Sequence, residues 1–450
     1  MNAIFIEGTF DQLMDVVDLL GVNNVRRMIR PAGGLRWQAD ARADDAMIPQ
    51  IESLGCAVTV VAPPAVTALL PAASAYPDAA TITSRLQSLK TTYAPVCSLL
   101  GPTQTQRGRD LHVLSIAGQG PIQKTVMIVG GFHAREWAPP SAVLSCFEAL
   151  MKAYPGKDAR AGKYVLRAAD VKEIVDKLQI YGIPLVNPDG YDYSRTPAGR
   201  NWRKNDFPTG SNVGKGVDLG RNFDILWKYE VAYKENVVWK SAGGFKVPLR
   251  LSISDNPDDE LYRGPNPVSE KETLLVHDLI ILEDVEYFLD IHSYGRYLMH
   301  PWAIETNTTA SSKSTMNFNN SFWDGKRDGK TRSPEPTVYE EYIEGADADE
   351  MRKVGRAMKR AISRANGETY SVGTPANLLY CAPASSIDWA YSRHRDITNA
   401  KKVWSFAIEC GHETENEFAP TAKQYPKIET EVHAAIFAFL RYIATGQTYG

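Results

Sequence analysis

Two copies of the pattern His-x-x-Glu draw attention, because side chains three residues apart can converge on one metal ion. The first, His133-Ala-Arg-Glu136, follows a predicted strand and the turn Gly130-Gly131, and the second is His412-Glu-Thr-Glu415. Zinc favours imidazole nitrogen and carboxylate oxygen, and a catalytic zinc site leaves one position open for water. Because the pattern occurs twice, neither copy identifies a site by itself.

Only the first copy has a series of further motifs around it. In chain order these are Asn187-Pro-Asp-Gly-Tyr191, Arg200-Asn-Trp-Arg-Lys204, Val217-Asp-Leu-Gly-Arg-Asn-Phe223, Tyr262-Arg-Gly-Pro265, Leu289-Asp-Ile-His292-Ser-Tyr294, Ser386-Ile-Asp-Trp389 and Phe406-Ala-Ile-Glu409. In this order and spacing the set resembles the zinc carboxypeptidases of the pancreatic carboxypeptidase A and B family, from about residue 76 to near the C-terminus. The resemblance implies one zinc ion per chain and removal of single residues from peptide or protein C-termini.

The metal and catalytic residues follow from this resemblance. It implies that His133, Glu136 and His292 bind zinc, that Glu409 is the general base, and that Arg203 stabilises the tetrahedral oxyanion. The positions of these residues relative to the predicted strands agree with this assignment. His133 follows one predicted strand, and His292 and Glu409 end two others. Open α/β sheets bind their ligands at the carboxyl ends of strands.

The same resemblance implies the residues that recognise the substrate. Arg221 matches the clamp for the terminal carboxylate, for which the planar arginine fork is well suited. Tyr380 matches the tyrosine that closes over the bound residue, and Arg135 matches an arginine of a more distant subsite. Asp218 matches the carboxylate that orients a histidine ligand.

The sequence departs from the family pattern at Gly220, where the family usually has asparagine. A side-chain donor to the terminal carboxylate is therefore missing, and Asn222 points in another direction. This departure keeps open a zinc amidase that cuts cell-wall peptides. A second alternative is a catalytically inactive binding module, against which the complete set of ligand and catalytic positions argues.

The residues that match the specificity pocket are uncharged. Ile387 matches the position at the base of the pocket, where enzymes for basic residues carry aspartate, and Ala303, Ala382 and Ala407 match other pocket positions. An unpaired lysine in such a pocket would lose its hydration without compensation. We therefore expect apolar or aromatic C-terminal residues to be preferred, unless Glu305 supplies an acid.

Composition indicates a globular protein, with 44% apolar and 23% charged residues. A net charge of -3 gives no reason to expect nucleic acid as a partner, and no apolar run reaches the roughly 20 residues that span a bilayer. The N-terminus predicts no signal peptide. The five cysteines lack metal-ligand spacing, so neither a disulfide framework nor a cysteine zinc site is expected. Compartment and oligomeric state stay open.

The chain divides into a small and a large predicted domain. Residues 1–62 have the order βαββαβ of a ferredoxin-like module, which resembles a shortened activation domain of the family. Residues 63–78, rich in alanine and proline, are a predicted linker, and residues 79–450 form the catalytic domain, with a polar surface insertion at about 305–346. No lysine or arginine lies between Arg42 and Arg85, so we expect the module to stay attached under trypsin-like proteases.

The large domain alternates strands and helices, which predicts an α/β fold with a mixed, mainly parallel sheet covered by helices on both faces. The predicted strands are 125–129, 178–186, 287–291 and 404–408. The predicted helices are 139–151, one that is capped by Ser269 with Glu272, 348–365 and 428–443.

Overall fold

The structure is a computed structural model that describes most of the chain. The described residues are 2–20, 25–29, 37–43, 45–61, 76–196, 199–206, 216–233, 237–242, 245–327, 339–412 and 418–447. They form two compact units, residues 1–70 and 71–450.

The first unit is a four-stranded antiparallel sheet with two helices. Its elements are β1 (Asn2–Gly8), α1 (Phe10–Leu20), β2 (Val25–Ile29), β3 (Trp37–Ala43), α2 (Ile48–Ser53) and β4 (Ala57–Val61), in the spatial order β2-β3-β1-β4. At the start of α1, the backbone N–H of Thr9 donates to Gln12 Oε1 at 2.8 Å and that of Gln12 donates to Thr9 Oγ1 at 3.2 Å, which is a capping box. Ile4, Leu13 and Ile51 lie in its core.

The second unit is built on an eight-stranded mixed sheet with the order β17-β14-β18-β13-β7-β10-β6-β5. The helices in chain order are α3 (Ala79–Thr92), α4 (Ala138–Ala153), α5 (Ala168–Lys177), α6 (Pro188–Ser194), α7 (Tyr229–Ala232), α8 (Lys271–Leu282), α9 (Gly345–Asn366), α10 (Pro375–Leu378), α11 (Ser386–Asp396) and α12 (Tyr425–Thr445). The strands are β5 (Cys97–Gln104), β6 (Asp110–Ile116), β7 (Lys124–Gly130), β8 (Ala159–Ala161), β9 (Tyr164–Leu166), β10 (Leu178–Ile183), β11 (Val237–Ala242), β12 (Phe245–Arg250), β13 (Tyr287–Ser293), β14 (Tyr297–Met299), β15 (Asn307–Thr308), β16 (Glu341–Tyr342), β17 (Ser371–Gly373) and β18 (Trp404–Cys410).

Four parallel strands, β10, β7, β13 and β18, form the centre of this sheet. Residues 126–129 of β7 are fully buried, as expected for a strand covered on both faces. Strand β14 runs antiparallel to β18, and β6 and β5 complete the other side with antiparallel pairs. The mixed, mainly parallel sheet that the sequence predicts is confirmed, and its central strands end at one common edge.

Several predicted boundaries are wrong in detail. Strand β10 ends at Ile183, three residues before the predicted end. Helix α8 begins one residue later than expected, with Glu270 at the N-cap position and no side-chain cap. The hydroxyl of Ser269 instead donates to Glu270 Oε1 at 2.8 Å, so Ser269 does not cap the helix. The short or partly exposed strands β5, β6, β14 and β17 were not predicted.

The insertion at 305–346 is exposed at residues such as 309–312 and 321–322, but some of its polar side chains are buried. Where it is described, Glu305, Arg327, Tyr339 and Glu341 are each at most 1% exposed. The polar groups bind one another, since Tyr339 Oη donates to Glu341 Oε2 at 2.7 Å and Arg327 Nη2 donates to backbone carbonyls. Burial is the main cause that raises the pKa of Glu305 to about 8 and that of Glu341 to about 7. The segment therefore adds a polar core of its own to the second unit.

The end of the predicted linker packs into the second unit, while residues 62–75 lie outside the described part of the chain. Tyr76 is 1% exposed, and its hydroxyl donates to the carbonyl of Pro420 at 2.7 Å. Arg195 Nη2 donates to the Tyr76 carbonyl at 2.9 Å. The five cysteines are free and buried. None of the helices in the described ranges is long and apolar enough to cross a bilayer.

Candidate metal centre

Three side chains meet beyond the carboxyl ends of β7 and β13. His133 and Glu136 lie in the turn after β7, and His292 is near the end of the adjacent β13. His133 Nδ1 is 2.7 Å from Glu136 Oε1, His292 Nδ1 is 3.1 Å from Glu136 Oε2, and the two Nδ1 atoms are 3.1 Å apart. The three residues are at most 9% exposed. The structure thus brings together the three predicted ligands.

These donors fit a zinc ion. Two imidazole nitrogens and one carboxylate are a ligand set that catalytic zinc sites use, and zinc requires these groups to be deprotonated. Burial opposes the charge on Glu136, but the two histidines hold its pKa well below its usual value. Two ring nitrogens that point at the same carboxylate and at each other leave a place for one shared cation.

A second group in the described ranges also brings three metal-ligating side chains together, Glu344, Asp347 and His394. Its carboxylates already have cationic partners. Lys402 Nζ lies 2.6 Å from Asp347 Oδ2, and Arg395 forms an ion pair with Glu344. Two positive charges already balance these two acids, so this cluster has no need of a metal ion.

Each histidine has a carboxylate against its other ring nitrogen. Asp218 Oδ1 lies 3.2 Å from His133 Nε2, and Asp290 Oδ1 lies 3.1 Å from His292 Nε2. Although burial lowers the pKa of His292, Asp290 and Glu136 together raise it well above its usual value. Asp290 was missed in the sequence, although its position two residues before His292 places both side chains on one face of β13.

Glu409 is the register partner of His292 on the neighbouring parallel strand β18. Its side chain is partly exposed, but its Oε2 atom is buried and has no hydrogen-bond partner among the described residues. Burial and the nearby Glu136 carboxylate raise the pKa of Glu409 to about 8, against the opposing effects of His292 and Arg203. An unpaired carboxyl group of this kind can exchange protons with a bound molecule.

Arg203 is held by two contacts at the same edge. Its Nε donates to Asp218 Oδ2 at 2.8 Å, and its carbonyl accepts from the backbone N–H of Ala134 at 3.0 Å. Asn187, from the first accompanying motif, donates to the carbonyls of Phe132 and Lys204, which joins the two loops. Arg203 Nη2 is buried without a hydrogen-bond partner in the described ranges, so it keeps a free donor.

Arg221 and Tyr380 lie together, with the guanidinium carbon 5.6 Å from the centre of the tyrosine ring. Arg221 Nη1 donates to the carbonyl of Gly220 at 2.8 Å. A Cβ atom at Gly220 would lie 2.8 Å from His133 Nε2, closer than real contacts allow. Asn222 turns away and donates to the Arg263 carbonyl at 2.8 Å, so it does not take the place of the missing asparagine.

Comparison with known proteins agrees with this geometry. The family model described as zinc carboxypeptidase matches residues 82–435. The chain belongs to the zinc carboxypeptidase family. Carboxypeptidase B of Astacus astacus is 27% identical over 320 residues, which are 70% of this chain and 82% of that protein. Carboxypeptidase A4 of Mus musculus is 26% identical over 319 residues, covering 70% of this chain but only 60% of that protein.

The fold comparison covers both units of the chain. A crystal structure of carboxypeptidase A from Helicoverpa armigera matches with a TM-score of 0.67 and 18% identity, over 99% of this chain and 98% of that chain. This likeness shows the zinc carboxypeptidase fold. Members of the family use zinc, and the chain is a metallocarboxypeptidase by its membership. Relatives of both the A and B types are similar to it, so similarity alone does not assign the subgroup.

Hydrogen bonds link the segments that carry three of the residues matching the specificity pocket of the family, Ala303, Ala382 and Ile387. The backbone N–H of Ala303 donates to both carboxylate oxygens of Asp388 at 2.9 Å, and Ala382 N donates to the Ala303 carbonyl at 2.7 Å. Ile387 precedes Asp388 in the first turn of α11 and is 3% exposed. Ala407 is buried on β18.

Arg135 has a partner that the sequence did not reveal. Its Nη1 donates to Glu260 Oε2 at 2.8 Å, and its guanidinium carbon lies 4.3 Å from the centre of the Phe418 ring. An arginine held in this way is partly neutralised before a substrate binds. In the second His-x-x-Glu pattern, His412 is described, whereas Glu415 lies outside the described residues.

Proposed function

We propose that this chain is a carboxypeptidase of the pancreatic A and B type that releases apolar or aromatic residues from peptide C-termini. The observation that carries the proposal is the convergence of His133, Glu136 and His292 directly beside Glu409. A zinc ion held by the three ligands would polarise the scissile carbonyl group and acidify water.

The side chains around this centre have separate tasks. Glu409 accepts the proton of the attacking water and then delivers it to the leaving amine, which its unpaired Oε2 atom permits. Arg203 directs its unpaired Nη2 toward the oxygen on which negative charge develops. A divalent cation nearby would lower the pKa of Glu409, so that its carboxylate form is available near neutral pH.

Arg221 and Tyr380 select the end of the chain. The arginine binds the terminal carboxylate, and the tyrosine ring beside it covers the bound residue. The side chain of that residue enters the pocket formed by Ile387, Ala303 and Ala382. Small alanines leave room for a large side chain, and no charged group among these three compensates a lysine or arginine.

The experiment is digestion of a peptide library with the purified zinc-loaded chain, with released amino acids identified by mass spectrometry. Each peptide is supplied with a free C-terminal carboxylate and, as the matched control, with a C-terminal amide. We expect release of phenylalanine and leucine from the free peptides only. Equal cleavage of both forms would contradict a role for Arg221 as the carboxylate clamp.

The departure at Gly220 favours one further candidate, an amidase for cell-wall peptides, because it removes a donor for the terminal carboxylate. The same assay includes cell-wall peptide fragments as a separate substrate class. Cleavage of these fragments together with no release from ordinary free peptides would replace the proposed function by this one.

A further inference from the structure

The Asp290 carboxylate lies between a metal-ligand histidine and the first turn of a helix. Its Oδ1 atom is 3.1 Å from His292 Nε2, and its Oδ2 atom accepts a hydrogen bond from Ser386 Oγ at 2.6 Å. Asp290 is 2% exposed and Ser386 is 5% exposed. One oxygen of this buried carboxylate therefore accepts a hydrogen bond, and the other lies within ion-pair distance of the His292 ring without a hydrogen bond among the described residues.

The position of Asp290 decides which nitrogen of His292 is available for a metal. The Nδ1 atom faces Glu136 and His133, and it can bind an ion only when its lone pair is free. A carboxylate beside Nε2 keeps the ring proton on Nε2 and so leaves Nδ1 unprotonated in the metal-bound state. It also resists rotation of the ring.

Ser386 holds the carboxylate in this orientation. A hydroxyl that donates to an ionised carboxylate forms a short and strong hydrogen bond, which stops the group from turning about its Cβ–Cγ bond. Ser386 is itself fixed, because it is the first residue of α11. The N-cap residue Ser385 holds this turn, because its side chain accepts from the backbone N–H of Asp388 at 3.3 Å. Separately, the carbonyl of Ile387 accepts from Ser405 Oγ at 2.6 Å, a contact that does not reach Asp290.

His133 is oriented by a different part of the chain. Its Nε2 atom faces Asp218, which precedes a short turn and is bound by Arg203. The two histidines therefore depend on separate carboxylates, one held by an arginine and one by a serine. A change at Asp290 or Ser386 acts on His292 without touching a group that contacts His133 Nε2.

We propose that Asp290 and Ser386 act as a positioning pair that fixes the ring of His292 for zinc binding. The inference rests on the proposed function only in taking zinc as the ion. Ser386 directly precedes Ile387, so the helix turn that positions this histidine also carries the proposed base of the specificity pocket. Neither residue of the pair contacts the reacting atoms.

The test measures zinc affinity by competition with a chromophoric chelator in four proteins, the wild type, Asp290→Asn, Ser386→Ala and Ser405→Ala. Ser405 is the matched control, because its hydroxyl is equally buried and contacts the same helix but not Asp290. Loss of the charge in Asp290→Asn should weaken zinc binding by roughly 10- to 100-fold. Ser386→Ala should weaken it about threefold or more, and Ser405→Ala less than twofold.

The visible absorption spectrum of the cobalt(II)-substituted proteins separates positioning from general destabilisation. It responds to the geometry of the ligands, so Asp290→Asn and Ser386→Ala should change it and Ser405→Ala should not. If Asp290→Asn does not fold, the comparison of Ser386→Ala with Ser405→Ala tests the inference. Unchanged zinc affinity in a folded Asp290→Asn, or equal losses in the two serine variants, would overturn the inference. Failure of the zinc-loaded wild type to release C-terminal residues would contradict the proposed function and leave this result intact.

Discussion

Replacing Gly220 by alanine tests whether the glycine is required by its closeness to a metal ligand. The added Cβ would lie 2.8 Å from His133 Nε2 and 3.3 Å from Asp218 Oδ1, whereas ordinary contacts begin at 3.4 Å. The imidazole or the backbone at 220 must therefore move by roughly 0.6 Å. The ring has little freedom, because Glu136 and Asp218 lie against its two nitrogens.

This displacement is large for a zinc ligand. Ligand distances in zinc sites hold within about 0.2 Å of their preferred values, so a shift of roughly 0.6 Å at the ring would weaken the bond or tilt the imidazole. A comparable disturbance of the groups that orient a ligand costs about 10- to 100-fold in metal affinity. We expect a loss of about 1.4 to 2.7 kcal/mol in the free energy of zinc binding.

The assay is chelator competition for zinc, with Gly345→Ala as the control. Gly345 is the first residue of α9 and has open space where its Cβ would be, so alanine there should be neutral or slightly stabilising. Gly345→Ala should keep the zinc-free melting temperature of the wild type, whereas Gly220→Ala should lower it somewhat because the added methyl group overpacks a buried site. If Gly220→Ala binds zinc as tightly as the wild type, the close approach does not constrain His133 and the reasoning fails.

Four other outcomes are expected. Glu409→Gln should lower kcat by about 10²- to 10⁴-fold while zinc stays bound, and a near-normal kcat would remove Glu409 from its role as base. Ile387→Asp should shift kcat/KM from phenylalanine toward C-terminal lysine or arginine; a wild type that already prefers lysine would contradict the pocket assignment. Limiting trypsin should not cut at Arg42 or Arg85, the trypsin sites on either side of the predicted linker, and cleavage at either site with a large rise in activity would indicate a conventional zymogen. In the folded chain burial raises the pKa of Glu305 to about 8 and that of Glu341 to about 7. In the unfolded chain both carboxyl groups lose their protons near the usual glutamate pKa of about 4.3. Their contribution to stability is therefore complete below about pH 4 and is lost as pH rises through about 7 to 8. Glu305→Gln cannot ionise there and should lose less stability than the wild type between about pH 5 and pH 8 in chemical unfolding; parallel losses would show that Glu305 does not contribute.

The centre of the sheet could be predicted because its strands are continuous apolar runs. Buried parallel strands such as β7 require hydrophobic side chains on both faces, and this pattern is visible in the sequence. Strands β14 and β17 have only three residues each, too few to show any periodicity. Strand β5 has one buried residue in eight, so its partners rather than its own composition keep it in the sheet.

The insertion shows a different limit of sequence reasoning. Residues such as Glu305, Arg327 and Glu341 predict a solvated surface, because a single charge is rarely buried. Their burial depends on contacts that the folded chain supplies: Glu341 accepts from Tyr339 and is stabilised by the nearby Arg327 charge, and Glu305 accepts from the backbone N–H of Thr306. Composition counts residues one at a time, whereas a charged side chain can be buried only when neighbouring residues supply hydrogen bonds or an opposite charge.

The three candidate ligands and Glu409 could be singled out because each belongs to a local motif, and the family resemblance also supplied Asp218 beside His133, whereas other partners of the site could not be predicted. Asp290 and Glu260 bind His292 and Arg135 through contacts that the spacing of motifs does not specify. The spacing of motifs also does not specify which strands pair when they are far apart in the sequence.

The register between β13 and β18 is the step that turns separate motifs into one centre. His292 and Glu409 lie directly opposite each other on parallel strands, and in a parallel pair such opposite residues point to the same face of the sheet. A shift of this register by one residue would turn Glu409 to the other face, away from His292 and Glu136. The shifted strand would also move residues 405–408, which are buried on both faces, into packing sites shaped for other side chains. The packing of β18 therefore fixes the position of Glu409, the proposed base, so that core substitutions on this strand should reduce turnover before they reduce zinc binding.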